Sequence, residues 1–159
     1  MPEEPTMRAS ELAQSYPIVS VDTDALEAVR LMADHQLPAL IVFDRNGKPR
    51  TILPDSQALR FVIPEYLQQD PALCRVLSEE ASDELFRALA GRTVGDLLPP
   101  GDRRELPIVD HEATTMEIAA VMARMRSSVV AVVDGGRFLG AITLVRLLPH
   151  VMPSGPAAP

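Results

Sequence analysis

The tripeptide Pro17-Ile18-Val19 returns as Pro107-Ile108-Val109, and the residues that follow each copy align without a gap. Glu27 falls on Glu117, Met32-Ala33 on Met122-Ala123, Val42 on Val132 and Asp44 on Asp134, which makes eight identities. Such a chain folds as copies of one supersecondary unit, because a single copy cannot bury its own apolar face. At 159 residues there is room for one ordinary domain, or for two small repeats sharing a core.

Both copies follow one grammar. After the PIV segment, Asp24 with Glu27 and Thr114 with Glu117 form capping signatures that open helices. Leu26, Val29 and Met32-Ala33 set an apolar stripe on the first helix; Met116, Ala119-Ala120 and Met122-Ala123 set one on the second. The runs PALIVF and VVAVV lack polar alternation, as strands covered on both faces do. Asp44-Arg45-Asn46-Gly47 and Asp134-Gly135-Gly136 supply the positive φ angles of hairpin turns. A second strand then leads into a short helix, expected over 55–62 and 144–148. Between the copies the periodicity predicts two linker helices, around Asp70-Pro71 and Ser82, leading through Gly91 into 94–98.

Apolar residues make up 47% of the chain, enough for a sizeable interior. Aromatics are 4% and Trp is absent, so small aliphatic side chains must fill it. A net charge of −7 disfavours nucleic acid and anionic membrane surfaces as partners. The first ten residues lack the apolar core of a secretory signal, and no apolar run is long enough for a membrane span, so a cytoplasmic protein is expected. The single cysteine, Cys74, excludes an internal disulfide, and His35, His111 and His150 share no metal-ligand spacing, so no metal site is expected. No nucleophile-base-acid set or glycine-rich phosphate loop stands out, and no enzyme activity is expected.

With these pieces in order, the chain resembles a tandem pair of cystathionine β-synthase (CBS) domains, the Bateman module. The second copy carries the strongest match, including a Gly-apolar-apolar-Thr sequence at Gly140-Ala141-Ile142-Thr143. In the first copy Thr51-Ile52-Leu53-Pro54 stands there instead. The resemblance implies an α+β fold: two pseudo-symmetric β-α-β-β-α repeats packed through their sheets, with a helical linker between them. The expected divisions are 1–63 for the first repeat with its N-terminal segment, 64–90 for the linker, 91–150 for the second repeat and 151–159 for a disordered tail.

The family implies a regulatory module that binds an adenine nucleotide (AMP, ADP or ATP), S-adenosylmethionine or a related anionic metabolite between repeats. It also implies a homodimer and leaves room for a regulated protein partner; no bound cofactor is expected. The alternative is a ligand-free dimerisation or docking module. Candidate ligand walls are Ile108, Val109 and Val130 in the second copy, and Ile18, Val19 and Leu40 in the first. Thr143 either offers its hydroxyl to a ligand or simply caps a helix whose valine neighbours are core. In the family, an Asp three positions after the Ser/Thr holds the ribose hydroxyls; here Arg146 and Gln57 stand at that place. A guanidinium only donates, so the ribose mode is in doubt. Arg146 could meet a phosphate, lie solvated, or pair with a carboxylate at a subunit contact. Gln57 retains weak hydroxyl binding as an option. Arg103, beside Arg104 in the loop before the second PIV strand, is the most interesting phosphate candidate among the surface cations, ahead of Lys48, Arg50 and Arg137.

Overall fold

The computed structural model describes residues 7–99 and 105–153. The expected tail at 151–159 falls outside them from residue 154 onward. Two compact units divide the chain, one built from 17–105 and one from the N-terminal segment together with the residues after 105.

Helix α1 (Ala9–Leu12) opens the chain. The first unit then runs β1 (Ile18–Ser20), α2 (Ala25–His35), β2 (Ala39–Phe43), β3 (Pro49–Pro54) and α3 (Asp55–Val62). Its sheet has the order β1-β2-β3, with β1 parallel to β2 across the α2 crossover and β3 antiparallel through the hairpin. Asp24 caps α2 by accepting from the Glu27 N–H at 3.0 Å. The helix ends at Gln36 in the left-handed conformation, φ 51°. In the turn, the Asp44 carboxylate accepts from the N–H groups of Asn46 (2.8 Å) and Lys48 (3.0 Å).

The linker begins with α4 (Glu65–Gln69), a 3-10 turn (Pro71–Val76) and α5 (Glu79–Arg87). Asp70-Pro71 therefore breaks the first expected linker helix, as a proline that cannot donate does. The fragment α6 (Val94–Leu97) follows, opened by a capping box between Thr93 and Asp96. It docks back onto its own unit: the Val94 N–H donates to the Thr23 carbonyl at 2.8 Å and the Gly95 N–H to Val21 at 2.9 Å.

The other unit repeats the pattern with β4 (Ile108–Asp110), α7 (Thr115–Met125), β5 (Val129–Asp134), β6 (Arg137–Thr143) and α8 (Leu144–Val151). Its sheet order is β4-β5-β6, and the bulge after Val132 matches that after Val42. Thr114 caps α7, and Arg126 ends it at φ 51°. Helix α8 continues past the expected Leu148 with Pro149 inside its last turn.

Here α1 plays the part of α6. The Ala9 N–H donates to Ala113 at 2.8 Å and the Ser10 N–H to His111 at 2.9 Å, while Gln14 and Ala141 exchange two hydrogen bonds of 3.0 Å. Each lead-in thus packs on the unit that does not follow it in sequence. The packing units cross the sequence divisions at 63 and 90: the N-terminal segment belongs with the second copy, and 92–98 with the first.

The buried helix stripes differ from those expected. On α2 they run through Ala25, Ala28 and Met32, and on α7 through Ile118 and Met122. Leu26 and Val29 are only half-buried, and Met116 is 65% exposed. Small alanines at the contact let α2 lie close over its sheet, which turns the larger side chains outward.

Candidate functional site

Strand alternation separates the candidate walls. Neighbouring side chains on a strand point to opposite faces, so Ile18 and Val19 cannot line one surface, nor can Ile108 and Val109. Val19 and Leu40 lie in the core of their unit with Val42, Leu53 and Leu97. Val109 and Val130 lie in the core of theirs with Ile118, Ile142 and Leu147. Those four are packing residues. Ile18 and Ile108 face the other way and remain 46% and 43% exposed.

Thr143 caps α8, its hydroxyl accepting from the Arg146 N–H at 3.4 Å. Pro54 occupies the matching place before α3 and makes no side-chain cap; Asp55 is the acid of that helix's first turn.

The decisive geometry lies three residues further on. Arg146 Nε donates to the carbonyl of Leu12, the last residue of α1, at 2.8 Å. In the other unit Gln57 Nε2 donates to the carbonyl of Leu97, the last residue of α6, at 3.4 Å. Both bonds satisfy one of the carbonyls that a helix end leaves without an intrahelical partner. Through Nε, Arg146 thus fastens a lead-in segment, and Gln57 does the same more loosely. Sequence reasoning missed this role because the acceptor lies in a segment far away along the chain. Only donor chemistry at the two positions could have hinted at it.

Gly140 belongs to the same fastening. A Cβ there would run into the Gln14 carbonyl oxygen, so the glycine lets the lead-in lie against β6. Lys48, Arg50 and Arg137 are exposed. Arg103 and Arg104 lie outside the described residues.

A polar cluster went unnoticed in the sequence. Ligand-type atoms of Asp110, His111 and Glu112 lie within 4.8 Å of one another, and Asp134 Oδ1 is 3.5 Å from His111 Nδ1. The first three are sequence neighbours, and parallel pairing of β4 with β5 brings Asp134 alongside. The Glu112 N–H, donating to Asp110 at 3.1 Å, holds that carboxyl below the usual carboxylate range, with His111 adding to the effect.

The sequence matches the family model for the CBS domain over residues 9–63 and 94–152. The chain belongs to the CBS domain family. A CBS domain-containing protein of unknown function from Kribbella flavida is 48% identical, with a TM-score of 0.79 over 91% of this chain and 98% of that one. The CBS domain of a membrane protein from Sphaerobacter thermophilus (22% identity, TM-score 0.69, 92% of this chain and 89% of that) shares the fold. So does CBSX2 solved in complex with AMP (17%, TM-score 0.60, 89% and 93%), a protein from Arabidopsis thaliana. No match was found among curated proteins. The expected α+β fold of two β-α-β-β-α repeats is the one observed, and a CBS pair of this kind is a regulatory module. Among the described residues no helix is long and apolar enough to cross a membrane.

Proposed function

We propose that this CBS pair is a cytoplasmic, non-catalytic module that regulates a partner protein by docking, without gripping a nucleoside through its ribose. One observation carries the reading: the two side chains at the ribose-holding positions are donors engaged with lead-in carbonyls, Arg146 with Leu12 and Gln57 with Leu97. A diol needs an acceptor at that place, and neither repeat offers a carboxylate there. The walls expected around a purine are in large part core side chains, which leaves less apolar surface to sandwich a base.

A second reading keeps the nucleotide. Thr143 retains its hydroxyl at a helix start, Ile18 and Ile108 present exposed apolar surface, and CBSX2 has been solved with AMP. In that case the Arg146 terminal nitrogens would meet a phosphate while Nε keeps its carbonyl.

Thermal unfolding with AMP, ADP, ATP and S-adenosylmethionine separates the two. A ligand at ~100 times its Kd adds about 2.7 kcal/mol to the native state, which raises Tm by several degrees. The docking reading expects no shift with any of the four at millimolar concentration. A reproducible rise with one of them, lost in Thr143→Val, would replace it with the nucleotide reading.

A further inference from the structure

The loop that follows β4 gathers one imidazole and three carboxylates. Asp110 Oδ1 lies 3.3 Å from His111 Nδ1, Asp134 Oδ1 lies 3.5 Å from the same nitrogen, and Glu112 Oε1 lies 3.9 Å from Nε2. The spacing of the three histidines gave no reason to expect a metal site, but the neighbours of His111 are acids, one of them the last residue of β5. The backbone of His111 is pinned on both sides. Its N–H donates to the Val133 carbonyl at 2.9 Å, and its own carbonyl accepts from the Ser10 N–H at 2.9 Å. The Glu112 N–H donates to Asp110 Oδ2 at 3.1 Å, which leaves Oδ1 turned toward the ring.

The first repeat supplies an internal comparison. Ser20, Val21 and Asp22 stand where Asp110, His111 and Glu112 do, and Asp44 stands where Asp134 does. Arg45 holds Asp22 there through two bonds of 3.0 and 3.1 Å, and Asp44 accepts from the N–H groups of Asn46 and Lys48. The second repeat gains an acid and an imidazole and has Gly135 at the place of that arginine. Among the described residues, the ion pairs of Asp110, Glu112 and Asp134 all go to His111. Arg8 donates to the Glu112 backbone carbonyl at 3.1 Å and not to its carboxylate. Three carboxylates around one neutral ring repel each other, and a shared cation relieves that repulsion.

We propose that this cluster binds one divalent transition-metal ion of the zinc class, ligated by His111 Nδ1, Asp110 and Asp134, with Glu112 orienting the ring from the Nε2 side. Zinc stands about 2.0–2.2 Å from nitrogen and oxygen ligands, so atoms that share it lie roughly 3–4 Å apart. The separations of 3.3 and 3.5 Å at Nδ1 match that spacing. The two aspartate side chains are 61% and 56% exposed, so they can close on an ion without disturbing the core. A carboxylate facing the second ring nitrogen fixes the tautomer that a metal-bound imidazole needs. The nitrogen ligand disfavours Mg2+ and Ca2+, which prefer shells of oxygen. Because the Ser10 N–H rests on the His111 carbonyl, a bound ion stiffens the loop on which α1 docks. The inference is independent of whether a nucleotide or a protein partner binds.

Calorimetric titration of Zn2+ into chelator-treated, tag-free protein reads the site, in a Cys74→Ser background because Cys74 is exposed. One ion per chain is expected, with millimolar Mg2+ leaving the isotherm unchanged. His111→Gln and Asp134→Asn are each expected to weaken binding by about tenfold or more, the loss that removing even a supporting group causes. His35→Gln and His150→Gln, both exposed and on other elements, are expected to bind zinc as the parent does. In the imidazole NMR spectrum, His111 is the ring whose signals should move on zinc addition. Circular dichroism checks the fold of His111→Gln, and the exposed Asp134→Asn reads the same site should that variant unfold. No zinc uptake by the parent, parental affinity in a folded His111→Gln or Asp134→Asn, or binding lost in His35→Gln or His150→Gln would each overturn the inference.

Discussion

At the scale of single residues, the proposal against a ribose grip rests on the chemistry at positions 57 and 146. Arginine and glutamine both carry N–H donors, and each donor reaches the last carbonyl of a short helix. A carboxylate there would face that carbonyl with a second acceptor. Asp110 shows the reverse case, an acceptor held by donors. Its folded-state carboxyl titrates low because the Glu112 N–H bonds to it and His111 lies beside it. A depressed folded pKa stabilises the native state above the unfolded value, near ~3.9, and that contribution vanishes as pH falls through the folded pKa. Carboxyl NMR titration should place the Asp110 midpoint below that of an unstructured aspartate, and Asp110→Asn should flatten the acid limb of the stability curve. A midpoint at or above the free value would show that the Glu112 bond does not persist in solution. The contact of His111 with Asp134 was not readable beforehand, since the two meet only after β4 and β5 pair.

Among elements, the lead-ins are the least self-sufficient. Helix α1 has four residues and no side-chain cap, so its order depends on tertiary bonds to residues 111–114 and to β6. Gly140→Ala tests that dependence, because the added methyl occupies the space of the Gln14 carbonyl. The expected cost is about 1–3 kcal/mol in urea unfolding, the range for an unsatisfied buried backbone group. Unchanged stability would mean the segment does not lie against β6. Much of the element pattern was legible. The capping residues Asp24 and Thr114, the Asp-containing turns and the unbroken apolar strands all encode local structure, and each appears where the repeat places it. The helix ends at Gln36 and Arg126 were not legible, since neither is the glycine that usually takes a left-handed φ. The buried face of α2 was misjudged because apolar periodicity weighs Leu26 above Ala25 and Ala28, while close packing against a sheet favours the alanines; on α7 it is Ile118, outside the expected stripe, that is buried.

For the whole molecule, the repeat gave the architecture and concealed how the chain distributes itself. Sequence similarity marks 9–63 and 94–152, yet residues 7–16 complete the unit built from the second copy, and α6 completes the first. Periodicity cannot reveal such an exchange, because a lead-in carries the same pattern whichever sheet it joins. The same holds at Arg146: the sequence leaves a phosphate, solvent or a carboxylate as its partner, and the Leu12 carbonyl that its Nε reaches comes from the far end of the sequence. Hydrogen exchange at the amides of Ala13 and Gln14, measured in wild type and Arg146→Ala with and without AMP, addresses this most directly. Loss of the guanidinium should speed exchange there by about tenfold, the equivalent of ~1.4 kcal/mol for a charged donor removed from a buried carbonyl, and AMP should leave both proteins unchanged. Unaltered exchange in Arg146→Ala, or protection of these amides by AMP in wild type, would contradict the view that this arginine is a fastening and not a ligand contact.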